Sequence, residues 1–306
     1  MREQTLLRNF FVLFIVIVMP ASYAMELDPR RWSHLPIDTN FGGVGYAYTE
    51  ADIFLDPAIQ AEDVDLKMDS WIGKYIRSFE WFDKTARIGV TQAYQEGKWT
   101  GLVRGVPTTV NRYGLTDTFV RLAVNLYGAP PLKGKEFVKY RTNADVETIV
   151  GAAFAVRLPT GDYMDDKLIN LGKNRYAFLP QLGVLHQRGK WSAELTGQAA
   201  FYTDNDDFYN GTTLEQDPLY FVHGHLVHTF KPGVLATVSL GVDYGGENTI
   251  NGVNKDDKRK DIGWAASFTY PIERVIFKVV YIGTRSQEDT GFDSDTVSAG
   301  FSWHWQ

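Results

Sequence analysis

From residue 39 to the end of the chain, apolar and polar residues alternate with a period of two, the spacing at which a β-strand turns successive side chains to opposite faces. The alternation recurs in twelve segments, roughly 41–52, 66–80, 85–95, 117–127, 147–158, 175–187, 191–202, 219–230, 234–244, 262–270, 275–285 and 296–305. Most run about 10–12 residues, longer than the 5–6 usual in soluble sheets and close to the ~9–11 of a tilted membrane-crossing strand. Helix-period sequence is scarce, a turn or two within "APPLKGKEFVKYRTNADVE" (129–147).

The links sort by parity. Tight ones ("WFDK", "RGK", "KPG", "PIER") follow the second, sixth, eighth and tenth segments, and long polar ones follow the odd-numbered segments. The link over 128–146 is the exception, long where a short turn is expected. Short turns on one side and long loops on the other are the layout of an outer-membrane barrel. A soluble sandwich has no reason to segregate loop lengths in this way. The expected fold is all-β: a transmembrane antiparallel up-and-down β-barrel of twelve strands over 39–306.

The two faces support this. One parity reads Val120, Leu122, Val124, Leu126 in the fourth segment, Val234, Ala236, Val238, Leu240, Val242, Tyr244 in the ninth, and Val297, Ala299, Phe301, Trp303, Trp305 at the end. Trp191, Tyr244, Tyr270 and Trp305 stand at strand ends, as membrane-interface aromatics do. The partner faces carry charges that a dry core would not tolerate unpaired, so they are expected to face a lumen.

Residues 1–24 read as a signal peptide. Arg2 and Arg8 precede the apolar "FFVLFIVIVM", and "ASYA" supplies the small residues of a cleavage site. Residues 25–38 are expected to be a periplasmic N-terminal segment. The expected location is the outer membrane of a Gram-negative bacterium after removal of the leader. The net charge of −6 gives no reason to expect a nucleic-acid partner, and zero cysteines exclude a disulfide scaffold. Expected partners are outer-membrane lipid and lipopolysaccharide, a small-molecule solute and the barrel-assembly machinery.

Inward parity brings Lys74, Arg87, Arg121 and Arg157, on four consecutive strands, into a basic wall, with Glu194 and Asp243 opposite. Such an arrangement sets a transverse field and an ion preference. His223 and His225 share a face, but His228 points away, so paired lumen histidines are expected and no metal. "LVRGVPTTVNRYGL" (102–115) is the candidate constriction loop. The acidic "DNDDFYNGTTLEQD" (204–217) places Phe208 where a calcium loop needs an oxygen. No motif for a cofactor or a catalytic residue appears. A His-x-Ser order on one strand, as an outer-membrane phospholipase would need, is absent; Ser302 and His304 have it reversed.

Four stretches resemble a family of outer-membrane channels named for the meta-pathway of phenol degradation: "RRWSHLPIDTNFGGVGYAYTEADIF" (30–54), "NLYGAPPLKGKEF" (125–137), "LPTGDYMDDKLINLGKNR" (158–175) and "VYIGTRSQED" (280–289). The resemblance implies a barrel that passes small, aromatic or hydrophobic molecules, and carries no catalytic residues with it. One departure from the usual barrel ending is Gln306 after Trp305. The expected function is a non-enzymatic outer-membrane channel for passive uptake of small organic solutes through a narrow charged lumen. A structural or adhesive closed barrel, and an outer-membrane hydrolase, are the alternatives left open. A barrel should migrate differently on a denaturing gel with and without boiling; identical migration would count against the fold.

Overall fold

The computed structural model describes Leu27, residues 29–54 and residues 61–306; the expected leader over 1–24 lies outside the described residues. Among the described residues, seventeen strands and one helix follow in order. They are β1 (Thr39–Phe54), β2 (Ala61–Trp81), β3 (Lys84–Val103), β4 (Val106–Leu115), β5 (Thr118–Tyr127), α1 (Gly134–Asn143), β6 (Val146–Leu158), β7 (Ala177–Arg188) and β8 (Trp191–Tyr202). Then come β9 (Asn205–Phe208), β10 (Thr212–Gln216), β11 (Leu219–Lys231), β12 (Val234–Gly245), β13 (Asn248–Ile250), β14 (Val253–Asn254), β15 (Arg259–Ile272), β16 (Val275–Ser286) and β17 (Gly291–Trp305).

Twelve of these strands close into one antiparallel ring, β1-β2-β3-β5-β6-β7-β8-β11-β12-β15-β16-β17 and back to β1. Closure runs from Asn40 opposite Trp305 to Phe54 opposite Gly291. The tight turns fall where the sequence places them. Phe82–Asp83 turns with both φ angles positive, the geometry that matches strand twist in a two-residue hairpin.

Side-chain parity follows the sequence expectation. On β12, Val238, Leu240 and Val242 are exposed, while Thr237, Ser239 and Asp243 are buried. The outward face is therefore apolar in its middle. Trp81, Trp191, Tyr270, Trp303 and Trp305 border it at the end where the tight turns lie, and Tyr46, Trp71, Tyr94, Tyr220 and Tyr244 at the other. Two aromatic girdles around an apolar belt are what a lipid bilayer demands of a barrel.

Above the belt the first strands outgrow the ring. The segment 102–115, expected to constrict the lumen, instead extends the wall: β3 and β4 form a hairpin turning at Arg104–Gly105, both with positive φ. The loop that does fold inward is 159–176. Its Leu171 is buried against Ala51, Leu66, Met68 and Trp99, inward residues of β1–β3. The bend between β4 and β5 anchors it, because the Asp117 carboxylate accepts from Gly161 N and Lys173 N, both at 3.0 Å. The acidic loop at 204–217 is the hairpin β9–β10, which joins β13 and β14 in a separate four-stranded sheet.

At the opposite end the long exceptional link contains α1. Glu136 in its first turn and Arg141 in its last complement the helix dipole. Its one buried residue, Phe137, sets its ring edge on His34, 4.7 Å between centroids.

The described part of the N-terminal segment, expected in the periplasm, lies inside the barrel. Leu27 packs on Ala265, Val280 and Ile282 of β15 and β16, Trp32 on Ala123, Ile149, Ala153 and Leu185 of β5–β7, and Leu35 beside Phe41 and Ile76 of β1 and β2. The segment thus crosses the lumen from one wall to the other. Burial explains the placement, since both Trp32 and Leu35 are fully covered there. Gly151 and Gly183, paired across β6 and β7, make room; a Cβ at either would overlap the Trp32 ring.

Gly183→Val should therefore evict Trp32. The expected cost is about 1–3 kcal/mol of overpacking, and trypsin should then cut at Arg30 or Arg31 in the folded barrel. Gly197→Val, at an outward position with open space around it, should leave cleavage as slow as in the parent.

Candidate functional site

The lumen is the candidate site. Its wall is built by strand parity, since every second side chain of each ring strand must point inward. All eight residues singled out from the sequence belong to this inward set. Lys74, Arg87, Arg121 and Arg157 come from β2, β3, β5 and β6, Glu194 from β8, His223 and His225 from β11, and Asp243 from β12.

The basic wall is tied to the N-terminal segment and to its own neighbours. Arg87 Nη1 donates to Ser33 O at 3.1 Å. Arg121 Nε donates to Gln181 Oε1 at 2.8 Å, and its guanidinium lies 5.1 Å from the centre of the Trp32 ring. On β8, next along the wall, Glu194 Oε1 accepts from Arg31 N at 3.1 Å, and the hydroxyl of Thr196 accepts from Trp32 Nε1 at 2.9 Å. Nearer α1, His34 Nδ1 stands 3.5 Å from Glu147 Oε1, and Arg141 pairs with the same carboxylate. His34 Nε2 reaches Pro130 O at 2.7 Å.

The opposed acidic wall differs from the expectation. Asp243 does not stand alone: Arg259 Nη2 bridges it at 2.8 Å and Asp261 at 2.6 Å. Lys278 of β16 and Arg259 of β15 add inward positive charge on that side, and Glu147 adds negative charge to the basic side. The interior is a set of local ion clusters with basic side chains in excess, rather than two walls of opposite sign.

The histidine pair shares the inward face of β11, with ring centroids 5.2 Å apart. His225 Nδ1 lies 2.7 Å from Ser239 Oγ. His228 faces outward against Trp191, 4.4 Å between centroids. Among the described residues no group of three or more His, Cys, Asp or Glu gathers in metal-holding geometry. Ser302 is buried on the inward face of β17, two residues before the half-buried His304, whose ring is 6.0 Å from Phe41.

Sequence reasoning missed Glu147, Arg259 and Lys278, and the reasons are separable. Glu147 and Lys278 obey the parity rule and could have been read from it. Arg259 sits on the first residue of β15, three positions before the point where alternation becomes visible. Arg31 and Trp32 carry no periodic signal, because the segment that bears them is not a strand.

An apolar belt between aromatic girdles, around a polar interior crossed by an irregular segment, defines a transmembrane β-barrel of the outer-membrane kind. The chain belongs to the family described as "Putative MetA-pathway of phenol degradation", whose model matches residues 39–304, the barrel from the first residue of β1 nearly to the end of β17. In fold it is similar to an outer membrane channel from Pseudomonas putida F1, with a TM-score of 0.76 at 21% identity over 92% of this chain and 100% of that one. The transport unit of the autotransporter AIDA-I from Escherichia coli is a more distant likeness, with a TM-score of 0.50 at 10% identity over 98% of this chain and 96% of that one. Comparison with curated protein sequences gives no match.

Arg259→Ala should strand two buried carboxylates and destabilise the barrel by about 3 kcal/mol, read as a lower unboiled-to-boiled transition temperature on gels. Adding Asp261→Asn to that variant should recover part of the loss; no recovery would mean that Arg259 acts through packing instead.

Proposed function

We propose that this protein is an outer-membrane channel through which small organic solutes, aromatic compounds among them, pass passively along a narrow, charged and anion-preferring lumen. The observation that carries the reading is the interior itself. Ring strands on both walls turn polar or charged side chains inward, and basic ones exceed acidic ones. A pore lined in this way favours anions. Twelve strands stand between the eight whose interior side chains can fill and the sixteen that leave a wide aqueous channel, so a passage sized for small solutes is expected.

The N-terminal segment occupies this passage, and conduction requires it to shift. Its hold is a sum of small terms: hydrogen bonds worth about 1 kcal/mol each, and three apolar side chains, Leu27, Trp32 and Leu35, worth about 1.5–3 kcal/mol each in burial. A closed structural barrel is the second reading. The complete burial of Trp32 and Leu35 favours it, because a packed segment can be a permanent filling.

Conductance separates the two. Protein lacking residues 27–36, refolded and showing the heat-dependent gel shift, should conduct several-fold more in planar bilayers than the intact chain. Reversal potentials in a salt gradient should show anions carrying most of the current. A deletion variant as silent as the parent would favour the structural reading, and cation selectivity would overturn the charge assignment.

A further inference from the structure

The slot that holds Trp32 has more chemistry than burial of an indole needs. Its floor is the Gly151–Gly183 pair, where any side chain would overlap the ring. Its sides are Ala123, Ile149, Ala153 and Leu185, all buried. At one edge the Thr196 hydroxyl accepts the ring N–H at 2.9 Å. Over the ring lies the Arg121 guanidinium, 5.1 Å from the centroid and steadied by Gln181, which in turn donates to Gln198 at 2.7 Å. Flat apolar walls, one acceptor and one cation over the π-face together describe a receptor for an aromatic ring bearing one hydrogen-bond donor.

Receptor and occupant belong to different parts of the chain. The slot is made by β5–β8 of the ring, with Ala129 of the link after β5. Trp32 reaches it from a segment that precedes β1 and has no strand partner. We propose that this slot is a binding site for free aromatic solutes carrying one O–H or N–H donor, phenols and indoles, and that such a solute competes with Trp32 for it. The proposal deepens the channel reading, and rests on it in that solute must reach the lumen.

The competition has a definite scale. A ring on a short tether is presented to its slot at an effective concentration of about millimolar or above, so free solute displaces it only in that range or higher. Removing the tethered ring removes the competitor. Specificity follows from Thr196. A ring without a donor leaves a buried oxygen unmatched, which a site built for hydrogen bonding penalises.

The test uses full-length Trp32→Ala protein, refolded and checked for the heat-dependent gel shift, with indole, phenol, toluene and cyclohexanol as probes in equilibrium dialysis. Indole and phenol should bind the variant at least tenfold more tightly than the parent. Thr196→Val in the same background should weaken indole and phenol roughly threefold to tenfold and leave toluene unchanged. Trp32→Phe, which keeps the slot filled but loses the donor, should fall between parent and Trp32→Ala, and it provides the comparison if the alanine variant does not refold. Equal indole binding by parent and variants overturns the proposal. So does cyclohexanol binding as tightly as phenol, or an indole affinity that ignores Thr196→Val. Conductance is read separately on the protein lacking residues 27–36: if that barrel is silent while Trp32→Ala protein binds indole, the channel reading falls and the site stands.

Discussion

The ladder between β1 and β17 is the interaction on which the rest of the molecule depends. In lipid no water can satisfy an open sheet edge, and each unpaired backbone group costs several kcal/mol. Pairing from Asn40–Trp305 to Phe54–Gly291 removes both edges at once. Once the ring is closed, strand parity has a fixed meaning, because one face of every strand meets acyl chains and the other cannot. The closing strand shows this in its own numbers: Val297 and Phe301 are 60% and 46% exposed, while Ser298 and Ser302 are 2% and 4% exposed. A strand that reads in isolation like a core element with aromatics inside is turned inside out by closure.

Closure also creates the problem that the N-terminal segment answers. A ring of twelve strands has an interior too wide for its own side chains to fill. Trp32, Leu35 and Leu27 supply apolar volume that the polar inward faces lack. Arg31 and His34 bring polar groups to Glu194 and Glu147. The helix α1 completes this end by setting Phe137 and Tyr140 edge-on to His34, at 4.7 and 5.1 Å. Segment, helix and wall thus form one continuous contact, although they are far apart in the chain.

What was legible in the sequence was whatever repeats. Alternation located the ring strands, loop parity gave their direction, and inward parity found Lys74, Arg87, Arg121, Arg157, Glu194, His223, His225 and Asp243. What was not legible depends on partners far away. Nothing in "RRWSHL" says that Trp32 will meet two glycines of β6 and β7, since each glycine alone reads as a flexible strand position. The extension of β3 and β4 reads as a constricting loop because its polar, glycine-containing sequence carries no strong period, and its order comes from pairing with its own return. The inward fold of 159–176 is held in part by Asp117, a carboxylate at a bend that no local pattern distinguishes from an ordinary turn residue.

The order of synthesis gives the Trp32 contact a further meaning. Trp32 and Thr196 are 164 residues apart, and the slot between them does not exist until β5–β8 stand side by side. The segment that precedes β1 therefore has nowhere to bury its indole until β5–β8 have paired, and its contacts with β15 and β16 depend on strands later still in the chain. Burial of Trp32 presupposes that β5–β8 are already paired, and burial of Leu27 presupposes that β15 and β16 are.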